Sequence, residues 1–197
     1  MSILVKICGL SDERHVHAAI DAGADAVGFV FAESVREISP SRAAIISANL
    51  PSHVKRVAVM LHPTNAKWQN VLKEFAPDVL QTDAEDFTSL DVPDSVEKWP
   101  VYREGRSRPD TTATYVYEGL KSGHGETVDW SKAANIAESG QMLLAGGLAV
   151  DNVADAIRIV RPFGVDVSSA VESAPGKKNS QLIRDFVSAA KATEINL

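Results

Sequence analysis

The sequence predicts an α/β fold, a (β/α)8 barrel. Three observations predict it. Eight apolar, β-branched-rich runs of strand length recur along the chain, capped helical stretches lie between several of them, and small or chemically able residues recur where the runs end.

The runs are residues 3–8, 26–31, 57–61, 79–81, 99–102, 114–117, 142–145 and 165–167. After the first, Ser11 is placed to cap a helix with Asp12 and Glu13 in its first turn, Val16, Ala19 and Ile20 on its inner face, and Gly23 at its end. The acidic first turn complements the helix dipole. Pro40 and Ser41 open a helix through 43–48, Thr64 caps one over 67–75, Asp151 starts one over 153–160, and Ser180 starts one over 182–190. At 197 residues the barrel is small, near the floor of about 200 for a TIM barrel, so some connections must be trimmed. The stretch 104–112, with Gly105 and Pro109, is expected to form a loop in place of the fifth helix, and the fourth helix, around 86–90, has room for a turn or two. No linker separates two domains, so residues 1–197 read as a single barrel domain. An open, doubly wound sheet is the alternative, but it usually stops at about five or six strands.

Composition narrows the function. The chain is 45% hydrophobic and 23% charged, with 12 glycines, the profile of a globular domain with a sizeable core. Its net charge of −6 comes from scattered acidic residues, and no basic stripe interleaved with aromatics is present, so nucleic acid is not an expected partner. No basic, apolar and small-residue pattern opens the sequence, and Lys6 interrupts a run far shorter than the ~20 residues of a membrane span, so neither export nor insertion is expected. No membrane partner is expected, and the reducing cytoplasm is the expected compartment. The single cysteine excludes an intramolecular disulfide. His15 and His17 face different directions on one helix, and His53 and His62 lie in connections, so none of these four has metal-ligand spacing with a carboxylate; His124, in a loop of the active face, reads as exposed or as a substrate contact.

In such a barrel the chemistry sits at the carboxyl ends of the strands. Cys8 ends the first run, Asp83 follows the fourth, Glu118 ends the sixth, Gly146 and Gly147 follow the seventh, and Ser168 and Ser169 end the eighth. A lone free cysteine is more often a small buried hydrophobe than a base. Its position at a strand end is what marks Cys8. The Gly-Gly pair before a helix and the two serines in the next unit are small-residue loops of the kind that bind phosphate through backbone N–H groups.

The segments Lys6-Ile7-Cys8-Gly9-Leu10, Gly28-Phe29-Val30-Phe31 with Ser34-Val35-Arg36-Glu37-Ile38-Ser39-Pro40, Leu144-Ala145-Gly146-Gly147-Leu148 and Gly164-Val165-Asp166-Val167-Ser168-Ser169-Ala170-Val171-Glu172-Ser173 resemble the phosphoribosylanthranilate isomerase family. The loop Gly123-His124-Gly125-Glu126-Thr127-Val128-Asp129-Trp130 is similar to that family's glycine-rich loop, and the likeness runs from Lys6 to about Phe186. It implies an Amadori rearrangement of a phosphosugar substrate without metal or organic cofactor, by a monomer or homodimer. By the same likeness, Cys8 is the general base and Arg36 binds the anthranilate carboxylate. The general acid falls on Glu118, where the family has aspartate, and partial burial is expected to raise its pKa.

Three further positions depart from the family pattern. Asp83 stands where histidine is typical, so the site gains a negative charge; Glu126 replaces lysine or a neutral residue; Ala170 replaces a glycine in the phosphate loop. A different phosphosugar isomerase, acting on the related histidine-pathway aminoaldose, would carry an acidic residue where this chain has Cys8. A catalytically silent phosphosugar-binding relative is the other alternative.

Overall fold

The computed structural model describes residues 3–106, 109, 113–120, 128–138 and 140–193. Eight strands close into a barrel: β1 (Leu4–Cys8), β2 (Ala26–Val30), β3 (Lys55–Val59), β4 (Val79–Asp83), β5 (Glu97–Arg103), β6 (Thr114–Glu118), β7 (Gln141–Leu144) and β8 (Gly164–Val167). Each pairs in parallel with the next, and β8 returns to β1 in the register Leu4↔Gly164 to Ile7↔Val167. The expected TIM barrel is therefore the observed one.

Strand parity divides the core into two layers. Ala26, Val57, Val79, Trp99, Val101, Val116, Leu143 and Ala145 point inward and fill the barrel. The alternate residues, such as Val5, Ile7, Phe29, Leu80, Tyr115 and Val165, point outward under the helices. Phe75 packs edge-on against Phe29 and Phe31, with ring centroids 5.3 and 5.2 Å apart. Both faces of the strands are thus buried over most of their length, which is why the sequence shows continuous apolar runs.

The helices are α1 (Glu13–Asp21), α2 (Pro40–Ile46), α3 (Asn65–Phe75), α4 (Trp130–Ala137), α5 (Val153–Val160) and α6 (Ser180–Lys191). Thr64 caps α3 as expected. The other starts shift by a residue or two. Asp12 rather than Ser11 caps α1, Ser39 caps α2, and Asn179 caps α6, each accepting backbone N–H groups of the first turn. The fourth connection is one short 3₁₀ run, Ala84–Thr88. Between β5 and β6 the described residues contain no helix, and much of 104–112 lies outside them. Three elements had no counterpart in the sequence reading: α4, a 3₁₀ turn at Ser169–Val171, and an antiparallel hairpin of β9 (Glu172–Ala174) and β10 (Lys177–Lys178) after β8.

Candidate active site

Inward parity carries Lys6 and Cys8 on β1, Asp83 on β4, Arg103 on β5, Glu118 on β6 and Asp166 on β8 toward the same barrel interior. At its mouth lies a cavity of about 830 Å³ whose lining includes all eight residues singled out in the sequence: Cys8, Arg36, Asp83, Glu118, Gly146, Gly147, Ser168 and Ser169. That volume suits a ligand of drug size.

Cys8 is 7% exposed. Directly below it on the strand, the fully buried Lys6 Nζ lies 2.8 Å from Asp166 Oδ2. Burial pushes the Cys8 thiol up, and the ammonium groups of Lys6 and Lys178 pull against it. For Lys6 itself burial acts downward, but attraction to Asp166 and Cys8 wins and raises its pKa. Lys6 therefore remains charged below the thiol. Sequence reasoning passed it over as an interruption of an apolar run, although its place two residues before Cys8 on a strand puts it on the same face.

On the opposite wall, Glu118 has a side chain 14% exposed, with Arg103 Nη2 3.2 Å from its Oε1. Partial burial is present, as expected. The added finding is the guanidinium, an ion-pair partner for the carboxyl that the sequence reading did not place. Arg103 Nη1 is also bonded to Asp83. His62 Nε2 lies 3.3 Å from the same Asp83, and His62 Nδ1 3.0 Å from Asp86, whose hydrogen bond raises the imidazole pKa. Asp83 thus sits in a row of alternating charges rather than as an unbalanced anion. Arg103 escaped the sequence reading because the fifth run was ended at residue 102; one more residue would have placed it at a strand end.

Arg36 donates from Nε and Nη2 to the two carboxylate oxygens of Glu172, at 2.6 and 2.9 Å. The approach needs a bare backbone at Gly9, where a Cβ would stand 2.7 Å from Arg36 Cδ and 3.1 Å from Ser168 Oγ. The Ser168 hydroxyl donates to the Cys8 carbonyl at 3.2 Å, so its contribution to an anion is through the backbone. Ser169 begins a 3₁₀ turn, Ser169–Val171, and Ala170 fits it without a positive φ. In the neighbouring loop after β7, Gly146 and Gly147 take φ of 88° and 64°. Asn152 pins their turn by donating to the Gly147 carbonyl at 2.9 Å and accepting from Ala149 N at 2.8 Å.

A family model described as N-(5'-phosphoribosyl)anthranilate isomerase matches residues 5–189. The chain belongs to this family. An N-(5'-phosphoribosyl)anthranilate isomerase of Pelobacter propionicus is 37% identical over 206 residues, covering 97% of this chain and 97% of the relative. One from Listeria welshimeri is 35% identical, covering 98% and 100%. Among solved structures, phosphoribosyl anthranilate isomerase in complex with reduced 1-(o-carboxyphenylamino)-1-deoxyribulose 5-phosphate superposes with a TM-score of 0.81 at 31% identity, covering 96% of this chain and 98% of that one. The cavity of this isomerase family member is lined by a thiol and a carboxyl from different strands, by Arg36 beside the serine loop, and by the glycine loop after β7. Residues 123–127 of the glycine-rich loop, Glu126 among them, lie outside the described residues.

Proposed function

We propose that the chain works as a single barrel domain that isomerises N-(5'-phosphoribosyl)anthranilate to 1-(2-carboxyphenylamino)-1-deoxyribulose 5-phosphate, a step of tryptophan biosynthesis. One observation carries the reading. A single cavity holds Cys8 and Glu118 together with a cationic fork at Arg36 and the paired loops at Gly146-Gly147 and Ser168-Ser169. The substrate has a matching plan, with a carboxylate at one end, a phosphate at the other and the ribose between them.

The rearrangement moves two protons and changes no formula. Glu118 gives a proton to the ribose ring oxygen as the C1'–O bond breaks, leaving an iminium between C1' and the anthranilate nitrogen. The Cys8 thiolate takes the proton from C2', and the electron pair moves to form the enaminol. Tautomerisation places a proton on C1' and leaves the ketone at C2'. Lys6 favours the thiolate that this sequence requires, against burial that opposes it. Arg36 takes the anthranilate carboxylate, as a planar fork suits, and the two loops take the phosphate through backbone N–H groups. Asp83, also a candidate substrate contact, lines the cavity and holds Arg103 beside Glu118.

The reading extends to place and partners. The substrate is a small phosphosugar, the compartment is the cytoplasm, neither nucleic acid nor membrane is a partner, and the working form is a monomer or homodimer. Among the described residues no helix is long and apolar enough to cross a membrane. Turnover of phosphoribosylanthranilate, generated in place because it is labile, tests the reading. Ketone product formed by the wild-type protein supports it, and none formed at micromolar enzyme overturns it.

A further inference from the structure

The β9–β10 hairpin beside the cavity carries two charged side chains that are almost fully enclosed, Glu172 at 4% and Lys178 at 1% exposure. Buried charges survive only with complete partners, and here the partners lead into the site. Glu172 accepts from Arg36 Nε and Nη2 at 2.6 and 2.9 Å, from Lys178 Nζ at 2.7 Å and from the Gly176 N–H at 3.1 Å. Lys178 also donates to the Ser168 carbonyl at 2.7 Å and contacts its hydroxyl at 3.2 Å. The hairpin tip lies tight against the residue before Arg36, since a Cβ on Gly176 would stand 2.5 Å from the Val35 carbonyl oxygen.

A guanidinium has two edges that can each grip a carboxylate. Glu172 occupies the Nε–Nη2 edge, and Arg36 lines the cavity. Arg36, Glu172 and Lys178 together sum to one positive charge, which an incoming carboxylate neutralises. We propose that Glu172 is a positioning residue for carboxylate recognition: by gripping one edge of Arg36 it presents the Nη1–Nη2 edge to the aryl carboxylate of the substrate, and through Lys178 it fixes that edge relative to the Ser168 loop. This rests on the reading of Arg36 and of the Ser168-Ser169 loop given above. The gain lies in preorganisation, because a long arginine ordered before binding loses less freedom when the carboxylate arrives.

The test compares two ligands in calorimetric titration, 1-(2-carboxyphenylamino)-1-deoxyribitol 5-phosphate and the same compound with an unsubstituted phenyl ring. Wild type is expected to prefer the first by about tenfold or more, in line with a charge-assisted bidentate contact, and Arg36→Met is expected to abolish that preference. Glu172→Gln is expected to weaken the carboxylated ligand about tenfold while leaving the phenyl ligand within about threefold, and in turnover to raise KM more than it lowers kcat. Equal loss for both ligands marks a merely structural role and overturns the proposal, as does an unchanged preference. If Glu172→Gln does not fold, Glu172→Asp carries the same comparison, since it keeps the charge for Lys178 but withdraws the carboxylate from Arg36. A wild type without preference, or a preference that survives Arg36→Met, overturns the reading of Arg36 itself. A preference that needs Arg36 but ignores Glu172 overturns only this proposal.

Discussion

The guanidinium of Arg103 stands 3.2 Å from Glu118, with its other arm bonded to Asp83. Three adjacent strands, β4, β5 and β6, therefore end in a linked anion–cation–anion row. The longer reach of glutamate is restrained by this clamp, and its charge is balanced.

Arg103→Met is therefore expected to lower kcat more than it raises KM, because the Glu118 carboxyl loses the partner that holds it in place while Arg36 and the phosphate loops are untouched. Steady-state kinetics of wild type and Arg103→Met provide the check. An unchanged kcat would mean that Arg103 does not position the acid.

Glu118→Gln is expected to lower kcat by roughly 10² to 10⁴, the usual range for a general acid, since the amide keeps the shape but has no proton to deliver. Glu118→Asp is expected to retain partial activity. Asp83→Asn, which loosens Arg103, is expected to cost far less than Glu118→Gln. A dead Asp83→Asn beside an active Glu118→Gln would assign the acid to β4.

Much of this was legible in the sequence, and the omissions have physical causes. Strand runs stood out because both faces of a parallel barrel strand are buried, and the strand-end residues followed from the fold. The hairpin β9–β10 was invisible because its strands, Glu172–Ala174 and Lys177–Lys178, are short and polar. Helix α4 was passed over although Asp129 caps it and Trp130, Ala133, Ile136 and Ala137 recur at helical spacing and pack on the core; the stripe is short and only Ala133 in it is fully buried. The contact of Arg36 with Glu172 joins residues 136 apart in the chain. No local pattern encodes such a pair, and only the folded barrel brings it together.

Acid unfolding reads the buried hairpin charge directly. Burial acts to raise the Glu172 pKa, but hydrogen bonds from Arg36 and Lys178 outweigh it and hold the carboxyl to about 2, against 4.5 for an ordinary glutamate. Folded-state depression of this kind stabilises the protein above about pH 4.5, and the contribution is lost as pH falls through about 2. In denaturant titrations Glu172→Gln is expected to be less stable than wild type at pH 7, with the gap closing between pH 4.5 and 2. A gap that widens on acidification would contradict the assignment.

Arg36→Met is expected to raise KM by tenfold or more with a smaller change in kcat, since it removes a charge-assisted contact away from the bonds that change. Steady-state kinetics decide. An unaltered KM removes Arg36 from the substrate site.

The central claim, that this barrel isomerises phosphoribosylanthranilate with Cys8 as its base, is tested most directly by single-turnover conversion of freshly generated substrate by wild type and Cys8→Ser. A serine hydroxyl is far too weak an acid to supply a base at neutral pH, so the account predicts ketone product from wild type and a loss of roughly 10² to 10⁴ in rate for the variant, with phosphate-ligand binding retained. A serine variant that keeps more than about a tenth of the wild-type rate would contradict it, because the proton at C2' would then be leaving to another group.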